Sequence, residues 1–194
     1  MIKIFAGITV FLLFVGLVPA SAQAIKDDGG TLNIHLLDYC DPASFNAVLG
    51  EGTCKRDITP GFITFNGFIA EVTAEKSAGA WRFSPSPAKA GAHDTLMITN
   101  LGGETHTFTK VKKFGGGFVA PLNQLSGNRT PAPECATVVN DNLIPLPPGP
   151  DNLFILAGTT ATHAGPNGLV HYQCCIHPWM RTTIQVRGSG SSPQ

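Results

Sequence analysis

The stretch Tyr172-Gln173-Cys174-Cys175-Ile176-His177-Pro178-Trp179-Met180 holds the densest set of reactive side chains in the chain. A thiol, an imidazole and a thioether recur every third residue, at Cys174, His177 and Met180. Thiolate and thioether are soft ligands and imidazole is intermediate, so the set suits copper better than calcium, magnesium or manganese. A trigonal plane of two His and one Cys with a long axial Met makes an electron-transfer copper site. The plane needs a second His from elsewhere. His106 is the best placed, because it follows a Gly-Gly turn and opens the strand-like segment His106–Val111 (HTFTKV). The bland readings are a disulfide half for Cys174, a core filler for Met180 and a strand-end side chain for His106. Cys175 is the weaker candidate ligand, since Cys-x-His closes a tighter ring than Cys-x-x-His. His35, His93, His163 and His171 read as ordinary surface or core histidines, with His163 and His171 the nearest to the loop in sequence.

Elements rich in turns must position these groups. The chain has 194 residues, 43% hydrophobic and only 13% charged. Lys+Arg and Asp+Glu are 13 each, a net charge of zero that argues against a nucleic-acid binder or an acidic disordered tail. With 22 Gly and 15 Pro, many turns and few long helices follow, which favours an all-β domain. Strands are expected at Thr31–Tyr39, Ala80–Phe83, Asp94–Asn100, His106–Val111, Asn152–Ala157, Leu169–Cys174 and Thr182–Arg187. One or two more are expected within Ile63–Ala74, giving about eight short strands in a β-sandwich. Prolines 121, 131, 133, 145, 147, 148 and 150 exclude a central strand or long helix there. Residues 114–151 therefore read as an irregular insertion, with room for a short helical turn.

The N-terminus reads as a secretory signal. Lys3 precedes the uncharged apolar run Ile4–Ala20, and small residues place cleavage after Ala22 or Ala24. The expected organisation is a signal peptide over 1–24, a domain over 25–187 and a flexible Gly/Ser tail over 188–194. A periplasmic or secreted location follows, with no membrane span after cleavage. In an oxidising compartment cysteines pair or bind metal, and the five here leave at least one unpaired. Cys40 and Cys54 bracket a loop of small and turn residues and are expected to be bridged. Cys135 and Cys175 are either bridged, tying the insertion to the back of the Cys174–Met180 loop, or two buried free thiols.

Cys-x-x-His-x-x-Met with Pro after the His resembles the cupredoxins, closest to the amicyanin and plastocyanin type. Trp81-Arg82-Phe83-Ser84-Pro85, Asp94–Asn100 and Gly-Gly-Glu-Thr-His106-Thr-Phe are similar too, and the likeness covers roughly 62–113 and 152–187. It implies a cupredoxin-like Greek-key β-sandwich with one type 1 copper on His106, Cys174, His177 and Met180. The implied role is one-electron transfer without enzymatic activity, with redox partner proteins docking near His177, Pro178 and Trp179; a copper carrier or buffer is the alternative. Two departures stand out. The insertion lengthens the His106–Cys174 interval, and Thr107 replaces the Asn that often follows the first His. The backbone N–H of Thr107 can still donate to the thiolate, but the pinning bond of the Asn side chain needs a substitute.

Overall fold

A computed structural model describes residues 29–55 and 62–186. The signal-peptide and tail readings lie outside those residues. Two sheets carry the core. One is built from β1 (Thr31–Leu37), β2 (Arg82–Ser84), β4 (Thr95–Asn100) and β9 (Thr160–Ala164), in the order β2-β1-β4-β9. The other is built from β3 (Ala88–Ala90), β5 (His106–Val111), β8 (Asn152–Ile155), β10 (Leu169–Gln173) and β11 (Arg181–Val186). Its order is β3-β11-β10-β5-β8. β1 runs parallel to β4, and β3 parallel to β11.

Alternation places the core. Ile34 and Leu36 on β1, Leu96 and Ile98 on β4, and Ile184 on β11 are fully buried, as period-two side chains facing a partner sheet must be. Phe108 of β5 stacks on Tyr172 of β10 with ring centroids 4.2 Å apart. The first strand therefore belongs to the sandwich and lies inside its sheet rather than at an edge.

Among the described residues three helices join the strands: α1 (Pro42–Leu49), α2 (Phe65–Glu75) and α3 (Ala120–Leu125). The strand or strands expected in Ile63–Ala74 are instead α2. Its apolar and polar residues partly alternate, which suggests a strand, but Phe65, Phe68, Ile69 and Val72 also repeat at i, i+3, i+4 and i+7, the helical spacing. Thr64 caps the first turn by accepting from the Gly67 N–H at 3.3 Å, and Phe68 and Val72 face the core. Inside the Cys40–Cys54 interval, Asp41 accepts from the Ser44 N–H at 3.0 Å and Pro42 stands in the first turn. An acidic cap followed by Pro starts a helix, so this loop contains α1. The Cys40–Cys54 disulfide is formed and brackets it.

The insertion is more ordered than its prolines suggest. It contains α3 and a two-stranded ribbon of β6 (Ala136–Val139) and β7 (Asn142–Pro145). Asn140 and Asp141 turn the ribbon, with φ of 48° and 60° at the two positions. Positive φ at both central residues matches the hairpin turn that fits sheet twist. Eleven strands among the described residues exceed the eight expected. The additions are mainly β3, β9 and this ribbon.

Candidate metal centre

β5 and β10 bring the reactive groups together. His106 is the first residue of β5, and Cys174 directly follows β10. β10 pairs with both β5 and β11, so the loop from Cys174 to Met180 turns back over the start of β5. Two backbone bonds close it: the Cys174 N–H donates to the Met180 carbonyl, and the Met180 N–H to the His177 carbonyl, both at 2.9 Å.

The Nδ1 atoms of His106 and His177 each lie 3.9 Å from Cys174 Sγ. All three ligand atoms fall within 4.8 Å of one another, and all three residues are buried. A trigonal metal with bonds of about 2.3 Å to sulfur and about 2.0 Å to nitrogen would set sulfur and nitrogen about 3.7 Å apart. The observed spacing and the soft donor set therefore fit one copper ion. Met180, 1% exposed, ends the same loop and packs in the main core cluster.

Cys174 is the one free cysteine among the described residues. Its sulfur accepts from the backbone N–H of Thr107 at 3.4 Å and of His177 at 3.5 Å. Burial works to raise its thiol, but the hydrogen bonds and charge of His106 and His177 outweigh burial and hold it well below its ordinary value. The surroundings thus favour the thiolate, the form a metal ligand requires.

Thr107 fills both roles in question. Besides its backbone bond to Cys174, its Oγ1 accepts from the Cys175 N–H at 2.7 Å and from Thr109 Oγ1 at 3.0 Å. A hydroxyl thus supplies the loop-pinning acceptor in place of an amide. Behind it, Cys135 and Cys175 are bridged. Arg181 braces the same back face, donating to the Pro178 carbonyl and to Asn128 Oδ1, each at 2.6 Å, with its guanidinium over the Phe114 ring. Gly117 packs so closely on the Cys175 carbonyl that a Cβ there would collide with it. The insertion is therefore the brace of the site.

Two carboxylates missed in the sequence face the far nitrogens of the imidazoles. Asp38, fully buried just after β1, accepts from His106 Nε2 at 2.8 Å. It also accepts from the backbone N–H of Cys40, Gly103 and Glu104 at 3.2, 2.9 and 3.1 Å. Burial would raise Asp38, but these donors and the His106 charge win and hold it below its ordinary value. His106 shows the converse: burial would lower it, yet Asp38 and Cys174 push it up to about 10. Gly102 lies so close to the Asp38 carboxylate that a side chain would clash. No local spacing announces Asp38. Glu104 was nearer to view, two residues before His106. It accepts from Trp81 Nε1 at 2.6 Å and faces His177 Nε2 at 3.5 Å. Burial is the main cause that pushes Glu104 up.

Aromatic rings cover His177. Phe68 and Trp179 lie 6.2 and 5.5 Å from it by centroid, and Trp81 at 6.4 Å. His177 is only 2% exposed, Pro178 is buried and Trp179 is half-buried. The other histidines stand apart from the cluster. His163 Nε2 lies 3.5 Å from Asp151, and His171 Nδ1 is 3.1 Å from Thr183 Oγ1.

Two facing sheets with the His, Cys, His group at one end give the chain a cupredoxin-like fold. Solved structures similar to it include a purple cupredoxin from Nitrosopumilus maritimus, 16% identical over 80% of this chain and 98% of that one, with a TM-score of 0.37. A reduced amicyanin variant is 14% identical over 57% and 78% of the two chains, with a TM-score of 0.33. Oxidised plastocyanin from Dryopteris crassirhizoma is 16% identical over 55% and 89%, with a TM-score of 0.27. No family model matches the sequence. No curated protein matches it either.

Proposed function

We propose that this protein is an exported one-electron carrier holding a single type 1 copper ion. His106 Nδ1, His177 Nδ1 and Cys174 Sγ would be the strong ligands, with the Met180 thioether as a weak axial one. The observation that carries this reading is the buried cluster of two Nδ1 atoms, each 3.9 Å from the one free cysteine sulfur among the described residues. Bound there, copper supplies a Cu(II)/Cu(I) couple. The chain's own part is to keep the ligands still. Asp38 fixes the tautomer and ring plane of His106, the N–H groups of Thr107 and His177 orient the thiolate, and the Cys135–Cys175 bridge stiffens the loop from behind. Ligands held in one arrangement reorganise little when the charge on the metal changes.

Two disulfides among the described residues support an oxidising compartment, periplasmic or extracellular. No helix among them is long and apolar enough to cross a membrane. Trp179 beside His177 is half-buried, and we place the docking of a redox partner protein near His177, Pro178 and Trp179. A visible spectrum tests the reading. Protein loaded with Cu(II) should absorb strongly through the Cys174 sulfur, and Cys174→Ser should remove that band. A colourless copper complex, or colour that survives Cys174→Ser, refutes it. Met180→Leu should raise the reduction potential and Met180→Gln lower it, because an oxygen donor favours Cu(II). An unchanged potential in both makes Met180 a core residue only.

A further inference from the structure

Beside His177, on the side away from Cys174, the three helices enclose a cavity of about 260 Å³. Phe45 and Leu49 of α1, Phe65 and Phe68 of α2, and Leu122 and Leu125 of α3 form its walls. Its inner end reaches Glu104 and His177. The walls stand on fixed supports. The Cys40–Cys54 bridge spans α1, Ser44 Oγ joins α1 to the start of α2 by accepting from the Phe65 N–H at 3.0 Å, and Asn123 ties α3 to both the N–H and the carbonyl of Gly117. The space is thus built into the fold.

Its size and chemistry narrow what enters. An apolar cavity of about 150 Å³ takes up benzene, so this one holds one ring with small substituents. Apolar walls beside a carboxylate exclude anions and strongly hydrated groups. Glu104 is the one carboxylate among its lining residues. Glu104 engages Trp81 and faces His177 through Oε2, and among the described residues Oε1 receives no hydrogen bond. An apolar pocket with one convergent polar group is the common form of a small-molecule site.

We propose that this cavity binds a small neutral phenol. The ring lies among Phe45, Phe65 and Phe68, and the hydroxyl donates to Glu104, which places the ligand against the His177 imidazole. The site goes beyond the electron-carrier reading and does not need it.

The test follows the indole N–H resonance of Trp81, the donor to the same carboxylate. p-Cresol and toluene, which share a ring and a methyl group and differ by the hydroxyl, are titrated into metal-free protein and into protein loaded with Cu(I). The metal-free arm stands even if copper fails to bind. p-Cresol should shift the resonance saturably. Toluene should bind about tenfold more weakly or worse, since the hydroxyl's hydrogen bond to Glu104 is lost. Leu125→Trp and Ile69→Trp, which narrow the cavity from facing helices, should each abolish the shift while the fold survives by circular dichroism. No saturable shift with p-cresol, equal affinity for toluene, or binding that persists in a folded blocked variant overturns the proposal.

Discussion

The imidazoles of His106 and His177 face the same sulfur at the same distance, yet the protein holds them by different means. His106 begins a central strand, and its outer nitrogen meets a carboxylate locked by three backbone N–H groups. His177 rides on a loop, its outer nitrogen sits farther from its carboxylate, and aromatic rings and a cavity surround it. One side is a fixed post built from hydrogen bonds; the other is a face walled by packing. Rigidity of the thiolate site needs one immobile imidazole, and access needs the other to border something softer.

Asp38→Ala should break the comparison most forcefully. It leaves the His106 ring and three backbone donors unpaired in the interior, at a cost of about 3–5 kcal/mol in urea unfolding. Copper affinity, read by competition with a chelator, should fall about 10–100-fold. Thr107→Val comes next. It strands the Cys175 N–H, and a buried donor without a partner costs about 1–3 kcal/mol. Glu104→Gln should have the smallest effect, because an amide oxygen still accepts from Trp81. If Glu104→Gln costs as much as Asp38→Ala, the two sides are built alike and the contrast fails.

The same contrast has a pH form, read on metal-free protein. Asp38 lies below its ordinary 3.8 in the fold. It therefore adds stability above that value, and the gain is lost as the pH falls through the depressed one. Glu104 lies above its ordinary 4.5. It adds nothing below that value and destabilises increasingly as the pH rises toward the raised one. Urea midpoints from pH 3 to 8 should show the deficit of Asp38→Asn shrinking toward the acid end. Glu104→Gln should gain on the parent as the pH rises from 4.5. Equal slopes in the two variants would contradict the assigned directions.

The contrast also explains what could be read in advance. Cys174, His177 and Met180 lie within one short loop, so their spacing is a local signal. His106 was recognisable because a Gly-Gly turn and an alternating strand frame it. The Cys40–Cys54 bridge was legible from its bracketed turn residues, whereas Cys135 and Cys175 could not be paired by spacing alone across 40 residues. Asp38 was invisible for the same reason: it lies 68 residues from His106, and only the pairing of β1 with β4 brings it near. Region 63–74 misled because its partial alternation of apolar and polar residues and its helical period point different ways. Burial of Phe68 and Val72 against Phe45 and Trp81 decides for the helix, a tertiary preference. The ribbon in the insertion did leave a trace, the Asn140-Asp141 turn between Val138-Val139 and Leu143-Ile144, masked by the prolines around it.

The bond between Cys135 and Cys175 turns oxidation of this chain into a sorting problem. Cys174 is one residue away, and joining Cys135 to it would close a ring only one residue shorter. Loop entropy barely distinguishes the two, since its cost grows with the logarithm of length. The choice must come from geometry already in place. Neighbouring side chains on an extended segment point to opposite faces, so Cys174 turns inward to His106 while Cys175 meets the insertion. The pairing of β5 with β10 and the Thr107 hydroxyl on the Cys175 amide are what aim Cys175 at its partner. A Cys135–Cys174 bond would instead take the copper-ligand candidate out of the site.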